Sequence, residues 1–321
     1  MQALMRDAYG PPERLSLREV ETPEPAPGEV RVRIRVAALN DWDGGLLEGD
    51  WLNRLMFGLL TPRVRILGAD IAGTVDAVGS DVTLFKPGDR VHGDLSGCGF
   101  GGFAETVCVD PAHLVALPEG LSFEQGAALP HAGQLAWQAL AAAGGLGPGR
   151  SVLINGAGGG VGTLLLQLAR GLGAEVTAVD RASKLERLQA LGADHALDHA
   201  QVDFTAQGRR YDVIFDVKTD RSPFAYLRTL HPGGAYVTVG GRLSRLVQIL
   251  GVSPILRLAT GKRLRLVALR QNRDLVILDR AVLEERLTPV VDQIRPLAEG
   301  PEALRRFAAA EHFGKILLEM P

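Results

Sequence analysis

The segment of residues 151–162 restricts the possible folds more than any other part of this sequence. Its first five residues are a short, mostly apolar run that predicts a buried strand, and the glycines after them predict a tight turn that opens a helix. Backbone N–H groups at a helix N-terminus bind a pyrophosphate where no side chains block its approach. We therefore predict a dinucleotide site at Gly158, Gly159, Gly160, Val161 and Gly162. The alternative is a glycine turn that serves tight packing alone.

Strand and helix patterns alternate regularly after about Leu121. Helical spacing occurs at residues 161–172 and 184–191, and Gly192 is a natural end for the second helix. Short strands are predicted at residues 175–179, 195–197, 211–217, 235–239 and 264–269. This alternation predicts an α/β fold with a parallel, doubly wound sheet of the Rossmann type.

The two ends of the chain have the period of strands instead. Apolar and cationic residues alternate strictly over residues 30–36, which predicts a strand with one buried face. Further strands at 71–78 and 105–109, joined by Gly and Pro turns, suggest an antiparallel, barrel-like domain. From about Pro289 the tail has a strand, helix, strand pattern that could close back onto this domain.

Composition excludes several classes of protein. A chain of 321 residues with 46% apolar residues is long enough for two folded domains. Its 35 basic and 37 acidic residues give no basic face for nucleic acid. Two uncharged stretches, at 125–149 and 151–169, are interrupted by Pro130 and by glycines, so we expect no membrane insertion. The first ten residues have no apolar signal core, which predicts a cytoplasmic protein.

Three residues at and just after the end of the second strand bear on the identity of the dinucleotide. Asp180 follows Gly162 by 18 residues, close to the spacing of an acid that binds the ribose 2′-OH of NADH. Arg181 and Lys184 follow, and their cations would instead pair with the 2′-phosphate of NADPH. The sequence leaves the choice between NADH and NADPH open.

Several motifs along the chain resemble one known superfamily. They are VRIRVAALNDWD, ILGADIAGTVDAVGSDV, FKPGDRV, GGFAE, VLINGAGGGVGTLLLQLARGLGAEV, LGAD, YDVIFDV, LTPVVD and GKIL. The sequence resembles the medium-chain dehydrogenase/reductase superfamily, in its zinc-independent quinone oxidoreductase-like branch. The resemblance implies a GroES-like β-barrel catalytic domain at residues 1–122 and 289–321, with a Rossmann domain at 123–288 inserted between them. It also implies a homodimer.

The resemblance also bears on zinc. Zinc members carry a Cys where this chain has Asn40 and a His where it has Ala69, and their third ligand falls around His131. A single imidazole does not hold catalytic zinc, and the only two cysteines, Cys98 and Cys108, are too few for a four-cysteine zinc lobe. We therefore expect no metal.

Residues of the substrate pocket are likewise implied by the resemblance. Asn40 matches an asparagine near the nicotinamide and substrate, and its amide is expected to hydrogen-bond the acceptor oxygen. Asp43 matches an acid that braces the loop, and Trp51 would give an apolar wall. Leu135 stands where a threonine is common. His131 is either an acid active near neutral pH or a structural histidine.

On the cofactor side, Lys184 matches a lysine that reaches the adenosine phosphate, and His199 replaces a tyrosine beside the adenosine. Val217 is expected near the adenine, whereas the bare backbone of Gly240 and Gly241 would lie against the nicotinamide. Lys218 stands where the family usually has a glycine.

These features predict an NAD(P)H-dependent oxidoreductase that transfers a hydride to a small electrophilic acceptor, a quinone or an α,β-unsaturated carbonyl compound. The alternative is an NAD(P)H-binding protein with little turnover that serves as a sensor or interaction partner.

Overall fold

A computed structural model describes residues 1–219, 221–240, 249, 251, 253 and 260–321 of the chain. They form two compact units. The first unit comprises Met1–Gln134, Gln271–Glu284 and Pro289–Pro321, and the second comprises Leu135–Arg270 and Glu285–Thr288. The first unit therefore extends past residue 122 and includes residues 271–284, which the sequence grouped with the Rossmann domain. The domain boundaries at residues 122 and 288 stay a prediction.

The described residues contain fifteen strands and nine α-helices. The strands, in chain order, are β1 (Gln2–Met5), β2 (Ser16–Glu19), β3 (Val30–Ala38), β4 (Asp70–Val78), β5 (Arg90–Asp94), β6 (Thr106–Val109), β7 (Val115–Ala116), β8 (Ser151–Asn155), β9 (Glu175–Asp180), β10 (His195–Asp198), β11 (Tyr211–Asp216), β12 (Leu230–Thr238), β13 (Arg263–Leu266), β14 (Val291–Pro296) and β15 (Lys315–Glu319).

The α-helices are α1 (Asp41–Glu48), α2 (Trp51–Phe57), α3 (Phe123–Ala128), α4 (Pro130–Ala143), α5 (Gly160–Gly171), α6 (Leu185–Ala190), α7 (Pro223–Arg228), α8 (Leu275–Leu283) and α9 (Gly300–Ala308). Short 3-10 helices lie at Pro12–Arg14, Pro111–His113, Ala182–Lys184 and Leu297–Glu299. None of the helices that the structure describes is both long and apolar enough to cross a bilayer.

The second unit contains a six-stranded sheet in the order β10-β9-β8-β11-β12-β13. Every pair in it is parallel, which confirms the predicted doubly wound α/β fold. β9 and β10 lie on one side of β8, whereas β11, β12 and β13 lie on the other. The strand order therefore reverses between β8 and β11, where this class of fold binds ligands. Two of the predicted strands differ most from the observed bounds: the one predicted at 264–269 is Arg263–Leu266, and the one predicted at 235–239 is Leu230–Thr238.

The first unit contains a seven-stranded sheet in the order β14-β15-β3-β4-β5-β7, with β6 paired to β3. The alternation in β3 is confirmed, because Val32 and Ile34 are buried while Arg33 and Arg35 are exposed. β15 pairs antiparallel with β3. The tail therefore closes onto the first part of the chain, as its pattern suggested.

Candidate functional site

The glycine turn of the second unit lies between β8 and α5. Gly156 adopts a φ of 82°, which favours glycine, and its N–H and that of Ala157 donate to the carbonyl of Val179 at 2.9 and 3.2 Å. A Cβ on Gly162 would lie 2.3 Å from the carbonyl oxygen of Gly156. Only a glycine therefore allows α5 to begin this close to the strand. The first N–H groups of the helix have no partner within it and can bind an anion.

Asp180, at the end of β9, is tied to this turn. Its Oδ2 accepts a 2.7 Å hydrogen bond from the N–H of Gly158, and its Oδ1 accepts one of 2.9 Å from the N–H of Arg181. The ammonium of Lys184 lies 3.5 Å from the same Oδ1. Burial lowers the pKa of Lys184, and the positive charges of Lys218 and Arg181 act in the same direction, whereas Asp180 opposes them.

The other predicted cofactor residues lie at or just after the carboxyl ends of the strands. The N–H of His199 donates to the carbonyl of Asp180 at 3.1 Å, and its side chain is exposed. The N–H of Val217 donates to the carbonyl of Asn155 at 3.0 Å. The carbonyl of Gly240 accepts 2.6 and 2.8 Å hydrogen bonds from the hydroxyls of Thr219 and Thr238. Gly241 lies outside the described residues.

These contacts fit a dinucleotide. Gly158 leaves room above the turn that a side chain would fill, since a Cβ there would lie 2.6 Å from Cδ of Lys184. A buried ammonium and the helix N-terminus both favour phosphate at this edge of the sheet. The roles of the individual residues stay predictions.

A buried polar cluster in the first unit begins at Asn40, which follows β3 and precedes α1. Asp43, fully buried in α1, accepts hydrogen bonds from the N–H groups of Asn40 at 2.8 Å and Gly68 at 2.9 Å. Burial raises the pKa of Asp43 to about 7, against the effect of these two hydrogen bonds. Asp43 thus joins the start of α1 to the segment before β4, which is the geometry of a loop brace.

Lys315, the first residue of β15, carries the positive charge of this cluster. Its buried ammonium donates to the carbonyl of Leu39 at 2.9 Å and to Oδ1 of Asn40 at 2.6 Å, and it lies 3.3 Å from Oδ2 of Asp70. Burial raises the pKa of Asp70, although the charge of Lys315 opposes that shift. Backbone carbonyl, amide oxygen and carboxylate thus surround the cation.

His131, the second residue of α4, completes the cluster. Its Nδ1 lies 3.0 Å from Oδ2 of Asp94, and its N–H donates to Oδ1 of Asp70 at 3.1 Å. Burial disfavours the imidazolium, but the hydrogen bond to Asp94 and the charges of Asp94 and Asp70 outweigh it and raise the pKa of His131. The ring of Trp42 meets the imidazole edge-on, with centroids 6.5 Å apart.

The structure therefore brings together three of the predicted pocket residues, Asn40, Asp43 and His131. Trp51 begins α2 and is 65% exposed, and the aromatic ring that packs against His131 is that of Trp42. Leu135 is buried and belongs to the second unit.

Four residues of the cluster were missed by sequence reasoning: Trp42, Asp70, Asp94 and Lys315. Trp42, Asp70 and Lys315 lie inside the NDWD, GAD and GKIL motifs, and Asp94 ends a short strand. Their positions as charged residues at the ends of apolar strands could have identified Asp70, Asp94 and Lys315.

The donor atoms of this cluster do not fit a zinc ion. The position implied for the first zinc ligand holds Asn40, whose Oδ1 faces the ammonium of Lys315, and a second cation there would be repelled. Within the part of the chain that the structure describes, no group of three or more His, Cys, Asp or Glu residues is placed to bind a metal ion. The absence of zinc stays a prediction.

Two family models match the chain. The alcohol dehydrogenase GroES-like domain matches residues 26–119, and the zinc-binding dehydrogenase model matches residues 191–318.

Individual relatives and solved structures are similar to the chain over nearly its whole length. Quinone-oxidoreductase QR1, chloroplastic, of Triphysaria versicolor is 30% identical, with 99% of this chain and 98% of that protein covered. A quinone oxidoreductase from Coxiella burnetii has a similar structure, with a TM-score of 0.88, 28% identity, and coverage of 100% of this chain and 99% of that one.

Similarity extends to segments of much larger enzymes. Polyketide synthase GfsB of Streptomyces halstedii is 33% identical over 304 residues, which is 92% of this chain. The chain spans only 5% of the length of that protein.

Proposed function

Because the chain belongs to the quinone oxidoreductase-like branch of the medium-chain dehydrogenase/reductase superfamily, we propose that it is an NAD(P)H-dependent reductase that acts without zinc. Its acceptor is a small electrophile, a quinone or an α,β-unsaturated carbonyl compound. The observation that carries the cofactor half of this proposal is the 2.7 Å hydrogen bond between the glycine turn and Asp180. It joins the two segments that hold phosphate and ribose in dinucleotide-binding folds.

The chemistry of the buried cluster supports the acceptor class. A bound dihydronicotinamide supplies a hydride, and the acceptor must then carry negative charge on its oxygen. Hydrogen-bond donors aimed at that oxygen lower the barrier. Asn40 and His131 are the donors we propose, and an enone or quinone spreads the charge over its own conjugated system. The donor atoms of the cluster do not fit zinc, and the proposed reaction needs no metal ion.

For the cofactor we propose a preference for NADPH. Both carboxylate oxygens of Asp180 already accept backbone N–H groups, and Lys184 lies 3.5 Å from one of them. The two backbone hydrogen bonds fix the orientation of the carboxylate. The ammonium of Lys184 balances its negative charge. Arg181 and Lys218 add positive charge beside Lys184. The balance of charge favours a 2′-phosphate over a hydroxyl.

Titration of the purified protein with NADH and NADPH separately, followed by turnover with 1,4-benzoquinone and 2-cyclohexenone, tests this function. We expect NADPH to bind more tightly and to be oxidised only when an acceptor is present. A primary alcohol with NADP⁺, with and without a chelator, is the control for zinc-type oxidation and should give no reaction. Tight binding without turnover would favour the sensor, and failure to bind either cofactor would reject the dinucleotide site. The homodimer implied by the resemblance stays a prediction.

A further inference from the structure

Three acceptors surround the ammonium of Lys315, and one of them is the side chain expected to meet the substrate. The ammonium carries three hydrogens, and the acceptors are the carbonyl of Leu39, Oδ1 of Asn40 and Oδ2 of Asp70, at 2.9, 2.6 and 3.3 Å. Lys315 is buried, so water does not compete for these donors. Every hydrogen of the ammonium therefore has a partner.

An ammonium donates hydrogen bonds and cannot accept them. The atom of the Asn40 amide that faces Lys315 must therefore be its oxygen, and the NH₂ group must point the other way. Amide oxygen and nitrogen are assigned from such networks. Here the charge of the neighbour decides the assignment.

The NH₂ group of Asn40 has one weak and one charged partner within the protein. It donates to the carbonyl of Ala38 at 3.5 Å, which is at the outer limit for a hydrogen bond, and it also hydrogen-bonds the carboxyl group of Asp70. The hydrogen directed at Ala38 is only weakly bonded, so this one N–H of the buried amide is available to a substrate oxygen. The backbone of Asn40 is held independently, because its N–H donates to Asp43 at 2.8 Å.

We propose that Lys315 is a positioning residue, which fixes the amide of Asn40 so that its NH₂ group donates to the carbonyl oxygen of the acceptor. The proposal rests on the reductase function and adds to it the residue that sets the direction of the donor. Without the cation, the amide could turn its oxygen toward the substrate, and two oxygen lone pairs would then repel each other as charge develops.

Several buried groups of both charges lie around Lys315. Asp70 is its direct partner, Asp43 and Asp94 are also buried within the cluster, and His131 is the other cationic group that faces them. Three carboxyl groups thus surround two groups able to carry positive charge.

Neutron diffraction from deuterium-exchanged crystals tests the orientation directly and without turnover. We expect deuterons on the Asn40 atom turned away from Lys315 and three deuterons on the Lys315 nitrogen. Deuterons between Asn40 and Lys315, with a neutral amine accepting from the amide, would overturn the proposal. This readout stands even if the protein reduces neither quinones nor enones, so its failure is distinct from failure of the proposed function.

Kinetics test the consequence for the reaction. Asn40→Asp keeps an oxygen for Lys315 and removes the donor, and we expect kcat to fall by about 100-fold, the usual effect of losing one such donor. In the double variant Lys315→Met with Asp70→Asn, which removes both charges together, we expect kcat to fall at least about tenfold. The Kd for the cofactor should change by less than about threefold in both variants.

Two further variants separate positioning from folding. Lys315→Arg keeps the cation and its donors, so it should recover most of the activity that the double variant loses. Glu319→Gln, at the exposed end of the same strand, is the matched control and should leave kcat unchanged. Wild-type kcat in folded Asn40→Asp would reject the role of the donor. A rise in KM alone, with kcat unchanged, in the double variant would reject positioning by Lys315.

Discussion

The backbone N–H of Gly158 donates a 2.7 Å hydrogen bond to Oδ2 of Asp180. The two residues are 22 positions apart, on the first turn and the second strand of the sheet. This bond holds the carboxylate over the glycine turn. The proposed preference for NADPH assigns the choice of cofactor to the cations near this carboxylate.

Lys184→Met should reduce the affinity for NADPH by about tenfold or more and leave that for NADH within about threefold, because only the 2′-phosphate needs the ammonium. Fluorescence titration with each cofactor measures the two Kd values. Arg187→Met, a cation on the next helix, is the control. Equal losses for both cofactors would mean that Lys184 acts on the pyrophosphate or on the fold.

Gly162→Ala should destabilise the protein by about 1–3 kcal/mol, because the added Cβ would overlap the backbone at Gly156 and Ala157. Gly171→Ala, in the same helix, has no atom within 4 Å of the added Cβ. It should leave stability within about 1 kcal/mol, on the stabilising side. Urea unfolding of both variants compares them, and similar midpoints would contradict the close approach of α5 to β8.

The pH dependence of stability should report the pair formed by His131 and Asp94. The pKa of His131 is raised in the folded protein above its unfolded value of 6.5. The pair therefore contributes stability that is fully present below pH 6.5 and is lost as pH rises through the folded pKa.

Unfolding free energies of the wild type and of His131→Gln, measured from pH 5 to 9, check this. Their difference should be constant at the acid end and should shrink toward alkaline pH. His231→Gln changes an exposed histidine and is the control. A difference that grows with pH would show the sign to be wrong.

A second buried pair stabilises the first unit. Nε2 of His92 lies 3.1 Å from Oδ2 of Asp279, and Nδ1 of the same ring lies 3.0 Å from the carbonyl of Gly126. Both side chains are almost fully buried. Asp279→Leu or His92→Leu alone should cost about 3–5 kcal/mol, because each leaves an unpaired polar group in the core.

The double variant of His92 and Asp279 should cost less than the sum of the two single changes, by about 1–3 kcal/mol. Urea unfolding of the four proteins closes the double-mutant cycle. Strict additivity within about 0.5 kcal/mol would mean that the two side chains do not interact.

The periodicity of the sequence predicted the two kinds of sheet because period and turn chemistry are local. Alternation in β3, the glycine turn after β8 and the end of α6 just before Gly192 depend on residues that are close together in the chain. The spacing of Asp180 from the glycines follows from the length of one strand-helix-strand unit. Gly158, Asp180 and Lys184 could therefore be predicted as neighbours.

The buried cluster in the first unit depended on tertiary structure. Asn40 and Lys315 are 275 residues apart, and they meet because β15 pairs with β3. Pairing of β4 with β3 and β5 adds Asp70 and Asp94. Spacing also could not decide which tryptophan packs against His131, since Trp42 and Trp51 each lie within the first two residues of a short helix. Local sequence sets strands and turns, whereas strand pairing between distant segments decides which charged ends share one buried site.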